Sequence, residues 1–156
     1  MTLPAKTETQ EEKNLSLNED TSLFITFWLG GFLFALPVEE VVEINRSLDI
    51  TPVPQAPSFV SGIINLRGQI LTAIDLAQRI GLHREKEAYH NVIIGRDDEP
   101  LSLLVEQVGD VLEIPTSKIE NPPDVIEGLD LQFVKNVSKL PDRLLVILDV
   151  EKLLEH

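Results

Sequence analysis

Cysteine is absent and basic residues are scarce: 13 Lys and Arg stand against 26 Asp and Glu, for a formal charge of −13. Without Cys there is no disulfide and no thiolate metal site. Without clustered cations a nucleic-acid partner is excluded in practice, because phosphate neutralisation needs them, and an anionic lipid surface is disfavoured for the same reason. Aromatic residues make up only 5% of the chain, with one Trp and one Tyr. No apolar run approaches the roughly 18–20 residues of a membrane span, and the N-terminus lacks the basic-then-apolar layout of a secretory leader. An acidic chain of this kind reads as cytoplasmic, without direct membrane insertion. It suits solubility or a partner with a basic face.

What the sequence does have is Val, Ile and Leu in short, punctuated runs. At 156 residues there is room for one ordinary domain or two very small subdomains with a common core. Residues 1–21 are polar and aperiodic and read as a disordered tail, leaving 22–156 as the folded unit. Leu23–Leu29 alternates as a strand, Gly30-Gly31 turns it, and Phe32–Leu36 returns. Pro37 then opens what reads as a short helix, with Val38, Val41 and Val42 on one face and Glu39, Glu40 and Glu43 on the other. Glu43 is out of place there, near the end of the helix that the dipole makes unfavourable to anions. A local pair with Arg46 is one explanation; a cation elsewhere in the fold, Arg67, is the other.

Pro52, Pro54 and Pro57 stiffen a connector into the central stretch, Ser61 to Leu76. That stretch reads as two apolar strands around an Arg67-Gly68 turn, with Asn65 beside it. Asp75 and Gln78 follow as a capping box, with Arg79 in the last turn and Gly81 past the helix end. His83–Asn91 is a polar loop. Strands follow at Val92–Gly95, Leu101–Glu106 and Val108–Ile114, with Asp97-Asp98-Glu99-Pro100 as a turn. A last hairpin, Phe133–Leu140 and Leu144–Leu148, runs into a short helix at Val150–Leu154. The closing Leu-Glu-His has the look of a tag remnant and carries no functional argument. Short strands with turn signals between them imply a mostly β chain of small antiparallel barrels with short helices.

Motifs of catalysis are weak or missing. His83, His90 and His156 lack metal-ligand spacing, Ser61 lacks a G-x-S-x-G frame, and the glycines lack a phosphate-binding frame. Asp97, Asp98 and Glu99 lack EF-hand spacing. The expectation is a binding module, not an enzyme, with no metal and no cofactor. From a different class, a small hydrolase using carboxylates from distant strands stays open, and a buried acid in a deep polar pocket would favour it.

The run V-x-G-I-I-N-L-R-G-x-I…I-D-L, Val60 to Leu76, resembles the signature of the CheW family of chemotaxis adaptors. Phe24–Leu36 with Val41-Val42-Glu43-Ile44 is similar to the family's opening hairpin and its V-x-E-I segment, read as a helix end. Val105–Val111 is similar to its V-D-x-V-x-x-V segment, and Asp142–Asp149 to its closing hairpin. The resemblance spans residues 23–154. It implies two SH3-like five-stranded β-barrels that share a hydrophobic core. It also implies a scaffold in signal transduction that couples the cytoplasmic tip of methyl-accepting chemoreceptors to the regulatory domain of a CheA-type histidine kinase, in receptor arrays. A related chemosensory pathway, for twitching or gliding motility, fits equally. The family's Glu and Arg for receptor coupling match Glu43 and Arg67, and the partner surface expected is Glu43, Arg67, Val41, Asn65 and Gly68. Ile63 is expected to serve mainly in the core.

Overall fold

A computed structural model describes residues 20–88, 90–95 and 99–155. Residues 1–19, most of the expected tail, lie outside it, as do Asp97 and Asp98 of the acidic turn and His156. The described chain enters its first strand at Thr21, and the Asp20 carbonyl already accepts a bond from the Thr116 N–H.

Ten strands form two five-stranded sheets. The first is ordered β8 (Gln107–Pro115), β1 (Thr21–Leu29), β2 (Phe32–Pro37), β10 (Leu144–Leu148), β9 (Val134–Lys139). The second is ordered β3 (Val41–Arg46), β6 (His90–Ile94), β7 (Leu101–Val105), β5 (Gln69–Asp75), β4 (Val60–Leu66). Each sheet closes into a barrel through an isolated bridge between the ends of its strand order. Glu120 meets Val137 in barrel 1 and Thr51 meets Ile63 in barrel 2. The chain starts in barrel 1, builds barrel 2, and returns. The barrels are not wholly antiparallel: β10 lies parallel to β2, and β7 parallel to β5.

The near-continuous apolar runs of the sequence follow from strands buried on both faces. Successive side chains point opposite ways, so one parity fills a barrel and the other fills the space between barrels. Leu33, Ala35, Leu145 and Ile147 line the interior of barrel 1, while Phe34, Leu36, Val146 and Leu148 face the common core. In barrel 2, Ile93 and Leu104 point inward while Val92, Ile94, Leu103 and Val105 point to that same core. The shared core is thus written by the alternate residues of strands in both barrels.

One element departs from the expected secondary structure. Val38–Glu40 makes a single 3₁₀ turn, and Val41–Arg46 is a strand, β3, not the rest of a helix. Pro37 offers no side-chain cap, and β-branched Val41, Val42 and Ile44 prefer a pleated surface. Pairing of Val41, Glu43 and Ile44 with Ile94, Ile93 and Val92 of β6 decides the outcome. The V-x-E-I segment is therefore mid-strand, and the helix-dipole anomaly at Glu43 disappears with the helix. At the other end of the chain, Phe133 belongs to a 3₁₀ turn capped by Asp130, and β9 starts one residue later.

Of the expected capping box the N-cap half forms, while the Asp75 N–H donates to the Phe59 carbonyl at 2.8 Å and not to Gln78. The Asp75 carboxylate accepts from the Gln78 N–H at 3.3 Å, starting helix α1 (Leu76–Ile80), and Gly81 ends it at φ 77°. Asp149 caps helix α2 (Val150–Leu154) in the same way, accepting from Glu151 and Lys152.

Candidate functional site

The tip of the β4–β5 hairpin is held in a conformation its sequence does not favour. Leu66 pairs with Gln69, so Arg67 and Gly68 form a two-residue loop with φ 53° and 88°. This mirror-image turn matches the twist of the strands but needs two residues in the left-handed region. Gly68 takes it without cost, and a Cβ there would meet open space. Arg67 does not, and Gln55 is the only other non-glycine with positive φ among the described residues. Asn65 fastens the turn, its side-chain oxygen accepting from the Gly68 N–H at 2.9 Å.

The strained residue projects its guanidinium across the seam of barrel 2. Arg67 Nη2 donates to Oε1 of Glu43 on β3. The side chain of Arg67 is 68% exposed and that of Glu43 25%. The Arg67 hydrogen bond is the main cause that holds the Glu43 carboxyl below its ordinary value of 4.5; partial burial opposes this, and Asn45 and the guanidinium charge add to it. Arg67 is correspondingly raised. On a strand, Arg46 at i+3 from Glu43 belongs to the opposite parity, so the local alternative gives way to the long-range pair.

Backbone closeness makes this seam possible. Thr51 and Ile63 exchange N–H···O bonds of 2.8 and 2.9 Å. A Cβ on Gly62 would sit 2.2 Å from the Thr51 carbonyl oxygen, so only glycine fits.

Of the expected surface residues, Glu43, Arg67, Asn65 and Gly68 come together at the hairpin tip. Val41 does not lie on the open face: it is half-buried and packs on the shared core. The outward residues of β3 are Val42, 60% exposed, and Ile44. Ile70, just beyond the turn, is 58% exposed. These three apolar side chains were not singled out from the sequence; strand periodicity applied to β3 would have found Val42 and Ile44. Ile63 is half-buried on the outer face of β4, and it is Ile64 that enters the barrel.

An open groove lies elsewhere. It measures about 620 Å³ between the barrels, against Phe59, Val60, Ile74, Leu101, Leu153 and Leu154. Glu99, Glu151 and Glu155 also line it. Thr72 borders this groove, and Arg67 is five residues away along the hairpin, roughly 15 Å at strand rise. The groove and the charged pair are separate features. Among the described residues, no group of three or more His, Asp and Glu is placed to hold a metal ion, and no helix is long and apolar enough to cross a membrane.

A family model described as the CheW-like domain matches residues 23–156. The chain is 29% identical over 145 residues to the chemotaxis protein CheW of Treponema pallidum, covering 89% of this chain and 85% of that one. It is 31% identical over 140 residues to a probable chemotaxis protein CheW of Rhizobium etli, covering 88% and 90%. Among solved structures, the scaffolding protein TtCheW of Thermoanaerobacter tengcongensis superposes with a TM-score of 0.80 at 32% identity, over 88% of this chain and 94% of that one. Two closed five-stranded barrels, the N-L-R-G hairpin tip and this agreement along nearly the whole described chain converge: the chain belongs to the CheW-like domain family.

Proposed function

We propose that this chain is a cytoplasmic chemotaxis scaffold, recruited to receptor arrays, that couples the cytoplasmic tip of methyl-accepting chemoreceptors to the regulatory domain of a CheA-type histidine kinase. It works by presenting surfaces, without catalysis. The observation that carries this reading is the hairpin tip: an exposed arginine kept in a strained backbone conformation and oriented by Glu43. Strain at an exposed residue is retained where the side chain has a task. The pair fixes the direction of the guanidinium and supplies electrostatic complementarity to the receptor. Glu43, Arg67, Asn65 and Gly68 form the polar centre, and Ile70, paired across the hairpin with Asn65, gives apolar area beside it; Val42 and Ile44 stand on the other face of β3.

The buried acid that a hydrolase would need has another occupation. Glu106, 6% exposed, uses Oε2 to accept from the backbone N–H groups of Gly30 and Glu85. That is the work of a structural acceptor.

Calorimetric titration into the regulatory domain of the CheA-type kinase from the same cell tests the proposal. The expected result is saturable binding at an equimolar ratio. No heat across the micromolar range would overturn the coupling to that kinase and turn the search to a kinase of another chemosensory pathway.

A further inference from the structure

A scaffold that presents itself to two partners at once gains from holding its two barrels at one fixed angle. Domains within a chain move relative to each other by default unless their interface prevents it. The shared apolar core holds them together, but burial is non-directional and does not by itself select an angle. Directional bonds do, and one half-buried and one buried side chain, Arg79 and Glu106, supply them across the seam.

The first is Arg79 on α1. The helix belongs to barrel 2, yet Arg79 Nε donates to the Leu153 carbonyl at 2.7 Å and Nη2 to those of Lys152 and Glu155, the first at 3.0 Å. These carbonyls lie at the C-terminal end of α2, the helix that follows β10 of barrel 1; that of Lys152 also accepts from the Glu155 N–H at 3.3 Å. The guanidinium also lies over two rings, 5.0 Å from Phe59, which leads into β4, and 4.8 Å from Phe133, which leads into β9. It therefore touches both barrels.

The second is Glu106, the single residue between β7 of barrel 2 and β8 of barrel 1. Its N–H bonds to the Trp28 carbonyl at 3.2 Å. Its carboxylate accepts from Gly30, at the β1–β2 turn of barrel 1, at 2.9 Å, and from Glu85, in the loop after α1, at 2.7 Å. The turn rests directly on that loop: a Cβ on Gly30 would lie 3.1 Å from the His83 carbonyl oxygen. Arg79 and Glu106 thus hold the two ends of one short segment, α1 and the loop to Glu85, against barrel 1.

We propose that Arg79 and Glu106 are positioning residues that set the angle between the barrels, and with it the relative placement of the two partner surfaces. The second half of that statement rests on the scaffold reading above; the first does not.

The absence of Cys allows a direct test on the full chain. Asp49→Cys, in the exposed loop of barrel 2, and Lys118→Cys, exposed on barrel 1, carry spin labels whose separation is read by pulsed dipolar spectroscopy. The parent chain should give one narrow distance distribution. Arg79→Met and Glu106→Leu should each shift it or broaden it about twofold. Arg79→Lys, which keeps the charge but loses the fork, and Glu106→Gln, which keeps an acceptor, should fall between. The same two variants carry the test if the more severe ones do not fold. A parent-like distribution in folded variants would overturn the proposal, leaving both residues as ordinary stabilising contacts.

A second arm measures binding. Kinase domain alone and receptor-tip fragment alone should bind the variants as they bind the parent, while simultaneous assembly weakens about tenfold through lost geometric match. Unchanged assembly by a variant with an altered distance would overturn the link to partner placement. A parent chain that binds neither partner would overturn the scaffold reading, while the distance measurement still decides the angle.

Discussion

The hairpin tip of barrel 2 and the seam between the barrels are each organised by an arginine, and the two are used in opposite ways. Arg67 is exposed, meets one carboxylate, and sits on a strained backbone. Arg79 is half-buried, meets three carbonyls and two rings, and sits in an ordinary helical turn. A guanidinium with satisfied donors in a packed site is part of the architecture. One with donors to spare at the surface is available to a partner. Loss of the first should cost stability; loss of the second should cost recognition.

The comparison breaks most severely where the surface beneath Arg67 is removed. Gly62→Val places side-chain atoms on the Thr51 carbonyl and opens barrel 2. A loss of at least about 3–5 kcal/mol is expected in denaturant unfolding, because the clash is with backbone that cannot move aside. Next comes Arg79→Met, expected to cost about 1–3 kcal/mol by removing the bond to the part-buried Leu153 carbonyl and the contacts with Phe59 and Phe133, again read by denaturant unfolding. Arg67→Glu should lower the unfolding midpoint only slightly, since the pair is largely exposed, and abolish receptor coupling through like-charge contact with Glu43. The double reversal, Glu43→Arg with Arg67→Glu, should restore the pair and some of the coupling.

The smallest effect is that of pH. Because the folded-state Glu43 carboxyl is lowered by Arg67, its contribution to stability is fully present above the ordinary value of 4.5. It is lost only as pH falls below that value through the folded one. Unfolding midpoints of the parent and of Glu43→Gln should therefore keep a constant difference from pH 8 to pH 5 and converge in more acidic solution.

How legible these two regions were depends on the range of the interactions. The α1 cap was readable because Asp75 and Gln78 act within one turn. The hairpin tip was readable because Arg67-Gly68 interrupts two alternating strands, and because Glu43 had no local use that fitted it. The segment Val38–Ile44 was misread because valines at 38, 41 and 42 satisfy a helical face, while its pairing with β6 lies some fifty residues downstream. Side-chain parity follows from that strand: Val41 is half-buried against the core while Val42 and Ile44 are exposed, and Ile64, not Ile63, fills the barrel. A strand's faces are assigned only once its register and neighbours are known. The second role of Arg79 was invisible, since its local position in the last turn of a helix already explained a cation there. Its partners on α2 are more than seventy residues away. Nor does any local signal say that alternate residues of both barrels face a common core.

The most direct measurement is a paired calorimetric titration of the parent and Arg67→Glu, each into the kinase regulatory domain and into a receptor-tip fragment. The account predicts that both proteins bind the kinase domain equally and that only the parent binds the receptor fragment. Receptor binding of undiminished strength by folded Arg67→Glu would contradict it and remove the Glu43–Arg67 pair from recognition.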